Sequence, residues 1–293
     1  MKGLCDNGWF MEESEQWPGQ AMSLKVDKVK YSNRSQLQEL AVFENKGPWG
    51  TVMTLDGCIQ LTDKDEFVYH EMMAHVPLSL HPNPKHVLII GGGDGGVMRE
   101  VLKHSTVERC DLVDIDGDVI EQSKLHFPQV AVSFSNPKSN AVVGDGAAFV
   151  SGKENEYDVI VVDSSDPDGP ASVLFGVEFY SNVKKALKPG GIVCSQGECI
   201  WIHALLIEKM VRFLSDDVGF SSVHYGMMYI PTYPCGSIGC LVSCKETTAI
   251  AVPTRPLESC PFFAELKYYD SNVHRAAFVL PKFASHLNHL KNR

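Results

Sequence analysis

Four aspartates, Asp94, Asp114, Asp145 and Asp163, each close or follow a short apolar run of the kind that makes a buried parallel strand. Any one of them alone reads as a turn former or a helix N-cap. Four at successive strand ends would share one rim of a sheet, and open α/β sheets bind their ligands at that rim. Asp94 sits inside Gly91-Gly92-Gly93-Asp94-Gly95-Gly96, a turn whose glycines let the backbone approach a ligand closely. A carboxylate there repels a pyrophosphate, which disfavours a dinucleotide and favours a cationic nucleoside. Asp114 follows Asp94 by 20 residues, the spacing at which an acidic side chain takes ribose hydroxyls. Asp145-Gly146 is placed to accept an adenine amino group. The stretch Asp163-Ser164-Ser165-Asp166-Pro167-Asp168-Gly169-Pro170 puts two carboxylates three residues apart at the exit of a strand. Such a pair can clamp a cationic amine, one carboxylate accepting its proton. The Pro- and Gly-rich loop over Ser164–Phe175 has the composition of a lid.

The elements that must position these residues change character along the chain. Over 1–75, short alternating runs predict a small antiparallel β domain of about six strands. They include Ala21–Lys30, Gln38–Glu44 and Gly50–Leu61, the last punctuated by the hairpin signal Asp56-Gly57. A helix is expected over Asp63–His75, with Phe67, Met72 and Met73 turned inward, and Pro77, Pro82 and Pro84 mark a linker. Over 76–293 strands and helices alternate. Strands are expected at Val87–Ile90, Val107–Ile115, Asn140–Gly144, Tyr157–Val162 and Gly191–Gln196. Helices are expected at Val97–Lys103, Asp118–His126, Ala147–Ser151, Glu178–Leu187 and Ile202–Leu214, the fourth closed by Lys188-Pro189-Gly190-Gly191. Two late strands, Ser221–Ile230 and Ile238–Lys245, complete a Rossmann-like, doubly wound α/β sheet of methyltransferase type with an added hairpin.

Composition narrows the partners. With 36 acidic against 26 basic residues the net charge is −10, which argues against nucleic acid and suits a cationic substrate. No apolar run is long enough to cross a membrane, and Met1–Gln20 has no signal-peptide core, so a cytoplasmic location is expected. The nine cysteines include no Cys-x-x-Cys, and the cluster Cys235, Cys240, Cys244 lacks the spacing of a zinc site. Reduced, mostly buried thiols and no metal are expected. His203, His274, Trp201, Tyr268 and Tyr269 read as core or surface residues.

Longer motifs give a family resemblance. Trp17-Pro18-Gly19-Gln20, Leu55-Asp56-Gly57, Asp65-Glu66-Phe67-Val68-Tyr69-His70-Glu71-Met72, Gln196-Gly197-Glu198, Ile230-Pro231-Thr232-Tyr233-Pro234 and Val273-His274-Arg275-Ala276-Ala277-Phe278 join the Gly turn and the Asp163–Pro167 stretch. Together they resemble the spermidine synthases, polyamine aminopropyltransferases with a methyltransferase-like fold. The resemblance implies that Gln38, His70, Asp94, Asp114, Asp145 and Gly146 hold decarboxylated S-adenosylmethionine, with Asp94 on the ammonium of its aminopropyl arm. It implies that Tyr69, Asp163, Asp166 and Tyr233 hold putrescine and that Asp163 is the general base. Glu12, Trp17 and Gln196 would line the far end of the diamine channel. His70 and Asp114 stand where animal members carry Gln and Glu, so the ribose contact is a methylene shorter or passes through water. A sulfonium carbon is already activated, so no cofactor beyond the co-substrate is expected. A homodimer or homotetramer is expected, joined through the β domain. A putrescine N-methyltransferase is the alternative within the fold. Asp94 disfavours it, because the carboxylate of S-adenosylmethionine would be repelled there.

Overall fold

The computed structural model describes residues 1–164 and 176–292. Asp166 and the rest of the expected lid, from 165 to 175, lie outside the described residues. The described chain opens with six strands in two antiparallel sheets. β1 (Trp9–Glu13) pairs with β2 (Ala21–Lys25). In the second sheet β3 (Lys28–Arg34), β4 (Glu39–Asn45), β5 (Gly50–Leu55) and β6 (Cys58–Thr62) lie side by side in chain order. The alternation over Ala21–Lys30 is therefore two strands. The chain changes sheet at Val26 and Asp27, where the Asp27 amide donates to the Glu44 carbonyl at 2.9 Å. Between β5 and β6, Asp56 and Gly57 take φ of 48° and 82°, the two positive angles that a tight two-residue hairpin requires.

Helix α1 (Glu66–Leu80) does not stop at His75; it runs through Pro77 to Leu80, with His81 as its extended C-cap. Proline removes one amide donor from a helix, yet every residue of α1 except Phe67 is buried, and this packing outweighs the local cost. The alternating region follows as β7 (His86–Gly91), α2 (Gly96–Leu102), β8 (Arg109–Asp114), α3 (Gly117–His126), β9 (Ser139–Val143), α4 (Gly146–Val150), β10 (Tyr157–Asp163), α5 (Val177–Ala186), β11 (Leu187–Gln196), α6 (Ile200–Arg212), β12 (Ser222–Tyr229), β13 (Ser237–Cys244) and α7 (Ser271–Ala277). The described strands form a seven-stranded sheet in the order β12-β13-β11-β10-β7-β8-β9. β7 to β11 run parallel, and β13 is antiparallel to both β11 and β12. Lys188-Pro189-Gly190-Gly191 does not close a helix outside the sheet. It lies inside β11, where the pairing slips from Tyr157 opposite Leu187 to Val159 opposite Ile192.

Strand alternation feeds two cores. Val87, Ile89, Val159 and Val161 face α1 and α2, while Leu88, Ile90, Ile160 and Val162 face α5 and α6. Met72 and Met73 are fully buried in the first of these. Chain order reverses between β7 and β10, so the carboxyl ends of these two strands open a crevice.

Candidate active site

The crevice deepens into a cavity of about 210 Å³. On the side of the sheet's carboxyl ends it is lined by Asp94, Asp114, Asp145, Gly146 and Asp163. α1 contributes Tyr69 and His70, the β3–β4 connection Gln38, and the late hairpin Tyr233, with Gln196 from the end of β11. Glu12 and Trp17 come from β1 and the turn after it. Every residue expected at the site other than Asp166 thus lines one cavity.

The Gly turn is shaped by close approach. A Cβ on Gly91 would lie 2.0 Å from the Asp163 carbonyl oxygen, and one on Gly96 would lie 2.1 Å from the His70 ring. Gly91, Gly92 and Gly95 take positive φ. The Gly92 amide donates to the Asp163 carbonyl at 3.0 Å, which ties the turn to the end of β10. Asp94 Oδ1 accepts from the Gly96 amide at 2.6 Å and lies 3.3 Å from His70 Nε2. His70 Nδ1 lies 2.6 Å from Glu66 Oε2, which Arg99 Nη2 also reaches at 2.9 Å. Burial alone would push the His70 imidazole down. The Asp94 and Glu66 carboxylates reverse that and hold it up at about 10, so it is an imidazolium at neutral pH. Burial likewise opposes ionisation of Glu66, but His70 and Arg99 prevail and hold it at about 2.

Tyr69 Oη donates to Asp163 Oδ1 at 2.7 Å, and its ring lies 6.1 Å from that of Tyr233. Asp163 faces the cavity, yet protein encloses it. Desolvation, with the Asp94 carboxylate second, pushes its carboxyl up to about 7. Asp114 receives the Gly93 amide on Oδ2 and the Asp116 amide on Oδ1, both at 2.8 Å. Burial still raises it to about 6 despite these bonds. Asp145 caps α4, Oδ1 accepting from the Ala147 and Ala148 amides at 2.7 and 3.2 Å.

Further residues whose roles spacing alone does not signal complete the site. Asp116 accepts the Gln38 side-chain amide at 2.9 Å and the Ser35 hydroxyl at 2.8 Å on one oxygen, which pins the loop above the crevice. Glu66 anchors His70. Asp65 holds the late hairpin by accepting from the Thr232 amide and hydroxyl at 3.1 and 2.7 Å. His203 is neither core nor plain surface. It lines the cavity, with Nδ1 2.9 Å from Glu198 Oε2 and Nε2 2.9 Å from the Gln16 carbonyl. The spacing of Glu198 and His203 carries no signal for this pair; the turn from β11 into α6 brings them together. His274 and Tyr269 are buried, and Trp201 is exposed, as expected.

Residues 66–252 match the family model for the spermine/spermidine synthase domain, and residues 8–63 match the spermidine synthase tetramerisation domain. The chain belongs to the spermine/spermidine synthase family. It is 47% identical over 282 residues to the spermidine synthase of Schizosaccharomyces pombe, covering 96% of this chain and 94% of that one. To the spermidine synthase of Dictyostelium discoideum it is 46% identical, covering 95% and 96%. A spermidine synthase crystallised with the transition-state analogue AdoDATO superposes with a TM-score of 0.90 at 38% identity, over 98% of this chain and 97% of that one. The enzyme from Thermotoga maritima gives 0.88 at 38% identity, over 96% and 94%. The protein is an aminopropyltransferase with the family's methyltransferase-like fold.

Proposed function

We propose that the protein moves the aminopropyl group of decarboxylated S-adenosylmethionine to putrescine, with Asp163 taking the proton of the attacking amine. The observation that carries this reading is the enclosed Asp163, held by Tyr69 at 2.7 Å and set beside Asp94 across the Gly turn. An alkylammonium, like a lysine side chain, has a pKa of about 10. It has no lone pair to attack with. Asp163 binds the cation first. As the amine nitrogen closes on the sulfonium-bound carbon, its proton passes to the carboxylate. The new C–N bond forms as the C–S bond breaks, and the electron pair stays on sulfur in methylthioadenosine. A carboxyl near 7 is a better proton acceptor than an ordinary aspartate. Alignment of nitrogen, carbon and sulfur supplies much of the remaining acceleration.

Asp94 pairs with the ammonium of the aminopropyl arm. His70, with both ring nitrogens beside carboxylates, holds Asp94 in place. Gln38, Asp114, Asp145 and Gly146 take the adenosine. Tyr69 and Tyr233 flank the acceptor chain; Asp166 is assigned to the acceptor's charge from its motif alone. Glu12, Trp17 and Gln196 form the far wall. No cofactor or metal is needed, because the sulfonium is already an electrophile. We assign 1–75 to an N-terminal β domain and 76–293 to a Rossmann-like catalytic domain, with α1 spanning the boundary. Among the described residues no helix is long and apolar enough to cross a membrane. A cytoplasmic homodimer or homotetramer suits this chemistry and the N-terminal domain match. Pure protein given putrescine with either decarboxylated or intact S-adenosylmethionine tests the reading. Spermidine and methylthioadenosine from the first alone are expected; N-methylputrescine from the second would replace it with the methyltransferase reading.

A further inference from the structure

A row of charged side chains runs from the cavity wall into the core. Glu66, His70 and Asp94 line the cavity, and Arg99 of α2 stands behind them. Its guanidinium forks onto Glu66: Nη1 donates to Oε1 at 3.2 Å and Nη2 to Oε2 at 2.9 Å. Such a two-point grip fixes the plane of a carboxylate, which a lysine ammonium cannot do. Nη1 also donates to the Gln129 carbonyl at 3.3 Å, and Nε to Glu100 Oε1 at 2.8 Å. Glu100 is held in turn on Oε2 by Lys103 at 2.8 Å and by His75 at 3.1 Å. The fork is therefore anchored from behind.

Order passes forward from it. Glu66 Oε2 faces His70 Nδ1 at 2.6 Å, and His70 Nε2 faces Asp94 Oδ1 at 3.3 Å. Both ring nitrogens meet carboxylates, so both carry a proton to donate. The ring is packed against the Gly turn, where a Cβ on Gly96 would lie 2.1 Å from it. The contacts described for the Asp94 carboxylate, this one and the Gly96 amide at 2.6 Å, both fall on Oδ1.

We propose that Arg99 is a positioning residue for the aminopropyl donor: its fork on Glu66 sets the His70 ring, the ring holds Asp94 by Oδ1, and Oδ2 is left to accept the ammonium of the donor. The inference rests on the donor placement proposed above. Arg99 itself touches no substrate. Without it Glu66 turns about its side-chain torsions to meet His70 head-on and draws the ring away from Asp94. Asp94 then keeps the Gly96 amide alone and offers the ammonium no fixed oxygen.

Calorimetry on the full chain tests this, with decarboxylated S-adenosylmethionine and methylthioadenosine as the two ligands. Arg99→Gln should weaken the donor about tenfold, the scale of one oriented charge-assisted hydrogen bond, and methylthioadenosine, which has no ammonium, less than about twofold. Arg99→Lys keeps a cation between the two carboxylates and carries the test where the glutamine variant does not fold. With the fork lost it should still cost the donor roughly threefold. In a His70→Gln background either change at Arg99 should cost the donor little more, because the two residues act in series. General loosening of α2 would instead give losses that add and that fall equally on both ligands. Additive losses, equal losses for the two ligands, or parent donor affinity in Arg99→Lys overturns the role of Arg99. A parent chain that binds the donor no more tightly than methylthioadenosine overturns the donor placement, and this inference with it. A preference for the donor that is present in the parent and survives Arg99→Gln overturns this inference alone.

Discussion

Asp163 and Asp94 are two carboxylates of one cavity to which we assign different tasks, and each assignment can be tested alone. With the Asp163 carboxyl at about 7 in the free protein, kcat/KM for putrescine should climb with pH up to about that value and then bend. Asp163→Asn should lower the single-turnover rate by about 10²-fold or more, the usual scale for a general base. Raising the pH to 10 should restore part of it, because more amine then arrives neutral. Near-normal turnover of the variant at pH 7 would move the base elsewhere, with Tyr69 next in line. Asp94→Asn keeps the size and removes the charge. A charge-assisted hydrogen bond is worth roughly 1.5–3 kcal/mol, so decarboxylated S-adenosylmethionine should bind about ten- to a hundredfold more weakly. Methylthioadenosine, which lacks the amine, should lose far less; equal losses in calorimetry would sink the pairing. The place of both aspartates at the carboxyl rim of the sheet was legible in the sequence, because each follows an apolar run that reads as a parallel strand. Glu66, Asp116 and Glu198 were not. Their roles depend on which side chains they meet, such as His70, Gln38 and His203, and spacing alone carries no such information.

At the scale of elements, α1 and α2 are joined through Glu66, His70, Arg99 and the Gly turn. The sign of the pH effect follows from the groups. His70 is raised from 6.5 to about 10, so its contribution to stability is complete below 6.5 and lost as pH climbs to 10. Glu66 is lowered from 4.5 to about 2, so its contribution is present above 4.5 and lost as pH falls to 2. Asp163, raised from 3.8 to about 7, acts the other way to Glu66 and favours the fold below 3.8. The urea midpoint of the ligand-free protein should therefore fall between pH 7 and 10, and in His70→Gln the slope over that range should flatten. An unchanged slope would mean that another group titrates there. Gly96→Ala would set a methyl 2.1 Å from the His70 ring. A loss of about 1–3 kcal/mol by denaturant titration is expected, with weaker donor binding. An unchanged midpoint would show that α2 can shift without cost. Element types were readable from periodicity, as with the Asp56-Gly57 hairpin. The passage of α1 through Pro77 was not, because burial on all sides, not local preference, keeps that helix going.

For the molecule as a whole, the alternation of strands and helices announced an α/β sheet, yet the order β12-β13-β11-β10-β7-β8-β9 is set by packing between distant segments. The assignment of residues 8–63 to a tetramerisation domain leads to a solution prediction. Light scattering should report a multiple of 32.4 kDa, two or four copies. A monomer at micromolar concentration would overturn the assembly. The first hairpin has another consequence. It lends Glu12 and, from the turn between its strands, Trp17 to the cavity wall, while the aspartates at the strand ends all lie beyond residue 90. It joins the rest through the packing of Phe10 and Leu24 with Phe43, Val52 and Ile59, and through polar points that include Glu12 Oε1 on the Ile59 amide at 2.8 Å, the Lys25 carbonyl on the Asn45 side-chain amide at 2.9 Å, and the Gln16 carbonyl on His203. If Glu12 and Trp17 line the acceptor end as proposed, swapping Trp9–Lys25 between relatives should redraw the list of accepted diamines while donor affinity holds.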